Sequence, residues 1–269
     1  MAGVVARPSV LVTGASTGIG RATAERLQGR GWLVYESVRQ AGEAPAGTTE
    51  LVFDVTDSAA IARAASRVGE LDARVDNAGI AVAAPLEFLP PEELTRQLEV
   101  NVVGQVRVLQ AFLPMLRRSR GRIVLMGSIG GKSALPFLGA YAMSKFALEA
   151  MADALRLEVA PFGIHVSLVE PGTIATPIWT KPQRAVEEFP PEAVELYGER
   201  VEKFRRLAAD RAGKAVPPEH VATAVEHALT SEKPKTRYLV GPDAKRRAYV
   251  EKLPDRLRYT LLSRFLFGS

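Results

Sequence analysis

The sequence predicts an α/β fold: a single Rossmann-type, doubly wound parallel sheet of seven strands with helices on both faces. Seven short apolar runs of strand length alternate along the chain with longer stretches of helical period. Continuous apolar runs are typical of strands buried on both faces, and right-handed crossovers through helices place such strands in one sheet. The 269 residues, 47% hydrophobic and 24% charged, are ordinary for one globular domain over residues 1–269.

The order of the elements follows from this alternation. The predicted strands are Ser9–Thr13, Leu33–Val38, Glu50–Asp54, Arg74–Asn77, Arg122–Ser128, His165–Glu170 and Tyr238–Val240. The predicted helices are Gly18–Gly29, Ser58–Arg67, Glu92–Arg118, Tyr141–Ala160 and Pro218–Thr230.

Two segments lie outside the alternation. Residues 176–216 form an irregular, aromatic-rich connection, and we expect it to be a lid over the substrate because long insertions are often binding loops. Residues 242–269 form a helical tail, in which 255–267 are expected to be an amphipathic helix. Its apolar face could pack on the lid, a second subunit or a membrane surface. We favour protein contact, because the helix is short and only modestly basic. The apolar residues at helical spacing are Leu257, Leu261, Leu262 and Phe265.

Composition excludes several functional classes. The formal charge is +5, but Lys and Arg are scattered among Asp and Glu, so we expect no nucleic-acid partner. The absence of cysteine excludes disulfides, thiolate zinc sites and cysteine nucleophiles, and the three histidines share no metal-ligand spacing. We therefore expect no metal. Neither a signal peptide nor an apolar segment of about 18 residues is visible, which favours a cytoplasmic protein without membrane contact.

The first predicted strand runs into a glycine-rich turn, Thr13-Gly14-Ala15-Ser16-Thr17-Gly18-Ile19-Gly20, and then into a helix. Glycines there let the backbone approach a pyrophosphate, and the helix N-terminus offers free N–H groups and a partial positive charge. A plain strand-to-helix loop could also be rich in glycine. Its position in the first βα unit favours a dinucleotide site.

Four polar residues predict the chemistry. Tyr141 and Lys145 are four apart on a helix and so share one face, and Ser128 ends a strand where catalytic groups cluster in open α/β sheets. Tyr can move a proton to match a hydride at carbon, and a Lys cation would lower its usual pKa of about 10. Ser128 would hold the substrate oxygen. Asn101, an unfavourable choice inside a long helix, would fix a water beside Lys145.

These motifs resemble the short-chain dehydrogenase/reductase family along the chain as far as Gly241. The glycine turn resembles its cofactor turn, and Asn101, Ser128, Tyr141 and Lys145 resemble its catalytic tetrad in order and spacing. The resemblance implies that Lys145 also binds the nicotinamide ribose and that the chain forms a homodimer or homotetramer. It implies contacts to the adenine from Asp54 and Val55, and to the nicotinamide amide from 171–176. The residues expected to bind the cofactor are Gly14, Ser16, Thr17, Gly18, Ile19, Gly20, Arg39, Asp54, Val55, Asn77, Ala78, Gly79, Tyr141, Lys145, Pro171, Gly172, Ile174 and Thr176.

Within the family, residues 144–177 look most like the retinol and 17β-hydroxysteroid dehydrogenase branch, which implies a lipophilic substrate. Two residues depart from the family pattern: Asp76 stands where Asn is usual, and Arg74 where an aliphatic residue is usual. Residues two apart in a strand share a face, so we expect an ion pair between them.

The choice of dinucleotide depends on the end of the second strand. Enzymes that use NAD carry an acidic residue there, whereas this chain has Val38 followed by Arg39. A 2′-phosphate needs a cation and no carboxylate, so NADP is favoured over NAD. Glu36 weakens the case only slightly, because strand alternation need not aim it at the ribose.

The sequence therefore predicts an NADP(H)-dependent oxidoreductase acting on a small-molecule alcohol or carbonyl compound, with Tyr141 as proton donor and acceptor. The alternative is a dinucleotide-binding sensor or scaffold that does not catalyse, but such a protein would be expected to lack the Tyr or the Lys. The residues expected to contact the substrate are Ser128, Leu135, Phe137, Tyr141 and Trp179.

Overall fold

The structure is a computed structural model that describes residues 7–179 and 189–268. Its strands are β1 (Ser9–Thr13), β2 (Leu33–Val38), β3 (Thr49–Val52), β4 (Ala73–Asp76), β5 (Arg122–Met126), β6 (His165–Pro171) and β7 (Arg237–Val240). Within the described residues they form one sheet of seven strands in the order β3-β2-β1-β4-β5-β6-β7, every neighbouring pair parallel. The predicted fold class is confirmed.

Helices connect these strands. They are α1 (Gly18–Gly29), α2 (Ser58–Ser66), α3 (Pro91–Leu98), α4 (Gly104–Ser119), α5 (Gly139–Val159), α6 (Pro191–Ala212), α7 (Pro218–Thr230), α8 (Pro242–Val250) and α9 (Asp255–Phe267). One π-helical turn, Glu99–Val103, joins α3 to α4.

The two faces of the sheet carry separate hydrophobic cores. On one face, Val10 and Val12 of β1 pack with Leu27 of α1 and with apolar residues of α7. On the other face, Leu11 of β1 packs with residues of α2, α4 and α5, including the fully buried Phe112. Because neighbouring residues of one strand enter opposite cores, each strand is apolar along its length. A smaller third core lies beneath α6.

Two predicted segments differ from the structure. The predicted helix Glu92–Arg118 is divided by the π-turn around Asn101. The irregular segment 176–216 contains the 22-residue helix α6. Pro190, Pro191 and Glu192 mark the start of α6, since proline at the first helical position and an acidic first turn favour a helix N-terminus.

The ion pair expected in β4 is confirmed. Nη2 of Arg74 lies 2.5 Å from Oδ2 of Asp76, and both side chains are buried on the α4 side of the sheet. Burial lowers the pKa of Arg74 and raises the pKa of Asp76 to about 6, against the attraction between the two charges. The pair compensates the burial of two polar residues where the family pattern places aliphatic and amide side chains.

Candidate active site

The glycine turn after β1 forms a backbone cradle. Gly14 and Gly18 have φ angles of +65° and +59°, which favour glycine, and a Cβ on Gly14 would lie 2.8 Å from Cα of Ala78. Thr17, the N-cap residue of α1, makes no side-chain cap hydrogen bond, so the N–H groups of the first turn lack a cap among the described residues. This cradle fits a phosphate group.

Asn77 fixes the turn to the end of β4. Its Nδ2 donates to the carbonyl oxygens of Thr13 and Gly14, both at 3.0 Å, and its backbone N–H donates to Oγ1 of Thr13 at 3.0 Å. Asn77 therefore holds the ends of β1 and β4 in register and shapes the cradle.

A cleft of about 590 Å³ opens at the carboxyl ends of the strands. Every residue predicted to bind the cofactor lines it except Gly20. A Cβ on Gly20 would clash with the carbonyl oxygen of Gly14, so this glycine lets α1 pack closely beneath the turn. That Gly20 also contacts the cofactor stays a prediction.

The β2 end of the cleft carries a cationic side chain. Ser37, Val38 and the exposed Arg39 line that end, whereas Glu36 does not. Glu36 is fully buried on the α1 side of the sheet, where burial raises its pKa to about 7. NAD-dependent enzymes carry an acidic residue at the end of this strand, where the described residues of this chain present Val38 and Arg39 to the cleft instead.

Asn101 lies at the centre of the π-turn and is buried. Its Oδ1 accepts from the N–H of Ile80 at 2.8 Å, and its Nδ2 donates to the carbonyl of Ile80 and to Oγ of Ser144, both at 3.0 Å. The π-turn and these bonds join the loop after β4 to α5. Both amide hydrogens are used, so a water beside Lys145 would have to use the second lone pair of Oδ1 or the backbone carbonyl of Asn101.

Ser128, Tyr141 and Lys145 meet at the base of the cleft. Ser128 follows β5, accepts from the N–H of Gly130 at 3.0 Å and is hydrogen-bonded to the hydroxyl of Tyr141. Nζ of Lys145 lies 5.7 Å from the centroid of the Tyr141 ring and donates to the carbonyl of Met126 at 2.7 Å. The structure thus brings Ser128, Tyr141 and Lys145 together, and Asn101 is bonded to the same helix, α5, through Ser144.

Burial dominates the electrostatics of these groups. It raises the pKa of Tyr141, opposed by the Ser128 hydrogen bond and the positive charge of Arg247, and it lowers the pKa of Lys145 to about 8. The lowered Tyr141 pKa that we expected from the Lys145 cation is not seen here, because desolvation of the phenolate is the larger effect. Burial therefore favours the neutral phenol of Tyr141.

A second cavity of about 890 Å³ lies on the other side of Tyr141. The predicted contacts Leu135 and Phe137 line it, together with the wall of α6. The side chain of Trp179, also predicted to contact substrate, lies outside the described residues. Residues lining this cavity that were not among the predicted substrate contacts are Phe189, Val201, Phe204, Leu207, Arg211, Arg247 and Leu266.

The tail forms part of this cavity. Leu266 of α9 is buried and lines it, while the ring of Phe265 lies 5.0 Å from the guanidinium of Arg211 on α6. The apolar stripe expected on α9 does not form its buried face, because Leu257, Leu261 and Phe265 are exposed. The helix therefore docks on α6 by its C-terminal end rather than along its whole face.

Comparison with known proteins decides the family. The profile of the family described as short chain dehydrogenase matches residues 8–187. The chain is a short-chain dehydrogenase. This family membership confirms the resemblance drawn from the cofactor turn and the tetrad.

Several curated relatives of this short-chain dehydrogenase are oxidoreductases. It is 35% identical to the NADPH-dependent 3-dehydrocapnine reductase of Ornithobacterium rhinotracheale, over 92% of this chain and 93% of the relative. It is 36% identical to human 17-beta-hydroxysteroid dehydrogenase type 1, over 87% and 77% of the two chains. Human retinol dehydrogenase 16 is 35% identical over 88% and 81%. The dehydrogenase is thus an oxidoreductase acting on CH–OH groups, and the branch expected from residues 144–177 is among its relatives.

Solved structures agree with the fold. A short-chain dehydrogenase from Streptomyces avermitilis superposes with a TM-score of 0.79 at 30% identity, covering 96% of both chains. A short-chain dehydrogenase from Burkholderia cenocepacia J2315 in complex with NADP superposes with a TM-score of 0.77 at 27% identity, covering 95% of this chain and 97% of that one. Among the described residues, no helix is long and apolar enough to cross a bilayer, and no cluster of acidic or histidine side chains could hold a metal ion.

Proposed function

We propose that this dehydrogenase uses NADP(H) to interconvert an alcohol and a carbonyl compound with a lipophilic body, with Tyr141 moving the proton. One observation carries the proposal: Ser128 and Tyr141 line both the nucleotide cleft and the second cavity. A reacting oxygen held by these two hydroxyls would place the adjoining carbon at the junction of the two spaces. Hydride and proton transfer would then occur on neighbouring atoms.

The chain's own residues supply binding and proton transfer. When bound, the nicotinamide supplies or accepts the hydride at the substrate carbon. Ser128 holds the substrate oxygen by a hydrogen bond, and Tyr141 gives it a proton in reduction or takes one in oxidation. Lys145 holds positive charge beside Tyr141 and would bind the nicotinamide ribose. Asn101 keeps α5, which carries both residues, fixed to the loop after β4.

Arg39 supports NADP(H) as the cofactor. The exposed Arg39 lies at the cleft end that receives the adenosine ribose in this fold, and it directly follows β2 in the place of an acidic residue. One relative is an NADPH-dependent reductase and one structural neighbour is an NADP complex, which supports the same cofactor.

The walls of the second cavity support a lipophilic substrate and a lid. Phe137 packs edge-to-face against Phe204 of α6 with ring centroids 5.8 Å apart, and Leu207 and Leu266 extend the apolar surface. We propose on this basis that residues 189–216 of the expected lid segment cover the substrate; residues 180–188 of that segment lie outside the described residues. Relatives named for steroid, retinol and 3-ketodihydrosphingosine substrates fit the same interpretation.

The exposed face of α5 supports a homodimer or homotetramer. Met143, Phe146 and Leu157 are large apolar residues on this helix with 42%, 45% and 78% of their surface exposed. A second subunit that covers this face would bury them. Sedimentation of the purified protein tests the assembly.

Substitution of Tyr141 tests the central proposal. Tyr141→Phe should lower kcat at least about 100-fold, because it removes the proton-carrying hydroxyl, and should leave NADPH affinity nearly unchanged. A panel of steroid, retinoid, aliphatic and aromatic ketones, followed by NADPH oxidation, supplies the substrate. Tyr249→Phe, on an exposed phenol outside both cavities, is the matched control. A Tyr141→Phe variant with near-normal kcat would refute the role of Tyr141.

A further inference from the structure

The second cavity is apolar but positively charged. Arg205, Arg211 and Arg247 line it, and no carboxylate does so among the described residues. Arg205 is engaged by Glu202 on its own helix, with Nη1 3.2 Å from Oε1. The other two arginines reach the cavity from different helices, Arg211 from α6 and Arg247 from α8.

Arg247 is placed as a binding group. Its Nη2 donates to the carbonyl oxygen of Ser133, which fixes the plane of the guanidinium. Its Nε is buried and has no hydrogen-bond partner in the described structure. A buried guanidinium nitrogen without an acceptor is costly, and buried polar groups of this kind are normally satisfied.

The two acidic side chains that act on the charge of Arg247, Asp243 and Glu251, are bonded to other residues. Asp243 accepts from the backbone N–H of Thr173 at 2.7 Å and from its hydroxyl at 2.8 Å. Glu251 pairs with Arg258 at 2.6 Å. Arg247 forms no ion pair with any described residue, and burial together with the charge of Arg211 lowers the pKa of Arg247 to about 10. Its charge acts on Tyr141, so it lies close to the reacting centre.

We propose that Arg247, assisted by Arg211, binds an oxyanion of the substrate: a carboxylate, sulfonate or phosphate that lies a few bonds from the reacting carbon. The proposal rests on the proposed function, because it places the substrate carbonyl at Ser128 and Tyr141. A guanidinium recognises such groups through paired hydrogen bonds, and a water-excluded site strengthens them. The substrate class is then an amphiphilic ketone or alcohol with an aliphatic body along α6 and an anionic group at α8.

Paired substrates test this assignment by turnover. The probes are 4-oxododecanoate and its methyl ester, which differ in charge and by one methyl group, with 2-oxododecylphosphonate to distinguish oxyanion types. The wild type should prefer 4-oxododecanoate over the ester by about tenfold or more in kcat/KM, and Arg247→Met should remove that preference. Arg247→Lys should restore part of it. Arg246→Met, at an exposed neighbour outside the cavity, should behave as wild type.

A binding measurement separates this proposal from the proposed function. Titration calorimetry with decanoate and decanamide needs no turnover and should show tighter binding of decanoate to the wild type, lost in Arg247→Met. Loss of turnover on every ketone, with this preference intact, would count against the proposed function alone. Equal affinity for both probes in the wild type, or an Arg247→Met variant that loses the acid and the ester equally, would overturn the anion site.

Discussion

A hydrogen bond of 3.0 Å joins Nδ2 of Asn101, in the π-turn, to Oγ of Ser144, in α5. The Ser144 hydroxyl in turn donates to the carbonyl of Tyr141 at 2.7 Å. The residue expected to hold a water thus holds the helix that carries Tyr141 and Lys145. A π-turn at this point is informative, since single π-turns inside helices often mark functional sites.

Asn101→Ala should therefore reduce stability as well as turnover. It leaves the N–H and carbonyl of Ile80 and the Ser144 hydroxyl with fewer partners, at about 2–4 kcal/mol in the free energy of unfolding. Displacement of α5 should lower kcat about 100-fold. Denaturant unfolding and steady-state kinetics measure the two effects, and Ser144→Ala, which breaks only one of these links, should lose less stability. A variant with normal stability and lost turnover would indicate a direct role in proton relay instead.

Lys145 predicts the pH dependence of reduction. Burial lowers its pKa to about 8, so its positive charge is complete well below pH 8 and is lost as the pH rises through that value. The rate of carbonyl reduction should be level at lower pH and fall above about pH 8. Lys145→Arg keeps the charge to higher pH and should remove this fall while lowering kcat through altered geometry. A wild-type profile that is level through pH 8 would contradict the role assigned to the Lys145 charge.

Arg39→Glu should shift the enzyme from NADP(H) towards NAD(H). The carboxylate repels a 2′-phosphate and offers an acceptor to a ribose 2′-hydroxyl, so the NADP/NAD ratio of kcat/KM should fall about 100-fold or more. Arg63→Glu, an equal charge reversal on an exposed residue of α2, is the control. An unchanged ratio in Arg39→Glu would show that another residue reads the 2′-position.

Glu36 should make the fold less stable at alkaline pH. Its carboxyl is fully buried and burial raises its pKa from 4.5 to about 7, so the native state favours the protonated form. Stability is thus fully present below the unfolded pKa and falls as the pH rises towards 7. Glu36→Gln should match the wild type near pH 4 and be about 2–3 kcal/mol more stable at pH 8.

Unfolding of both proteins across this pH range is the measurement. Glu232→Gln, at an exposed position after α7, should change stability by less than about 0.5 kcal/mol at any pH. A constant difference between Glu36→Gln and the wild type would mean that packing, not titration, separates them.

The nucleotide half was predictable because local patterns define it. The bounds of β1, α1 and β2 agree with the sequence prediction, and the cofactor residues except Gly20 line one cleft. Gly20 could not be separated from the other glycines, because its neighbour is the Gly14 carbonyl brought there by the fold. The helix α6 had a usable signal: Pro190-Pro191-Glu192 repeats the Pro-Pro-Glu sequence at Pro217, which begins the correctly predicted α7.

The substrate side was less predictable because tertiary contacts create it. Arg247 belongs to no motif, and only the docking of α8 brings it into a cavity with Tyr141. The π-turn depends on the bonds between Asn101 and the loop after β4, which sequence periodicity does not contain. Leu266 is buried by the end-on docking of α9, whereas the pattern favoured the stripe containing Leu257.

The positions of the cavity residues along the chain also set the order in which the two pockets are synthesised. All described residues of the nucleotide cleft precede residue 179, whereas Arg247 and Leu266, which line the second cavity, are synthesised later. Domains form from the N-terminal side as synthesis proceeds, and a ligand that binds only native structure stabilises it by mass action. A nascent chain can thus acquire its nucleotide pocket before its substrate pocket has a far wall. A dinucleotide can then act as a folding ligand for a molecule that is not yet an enzyme.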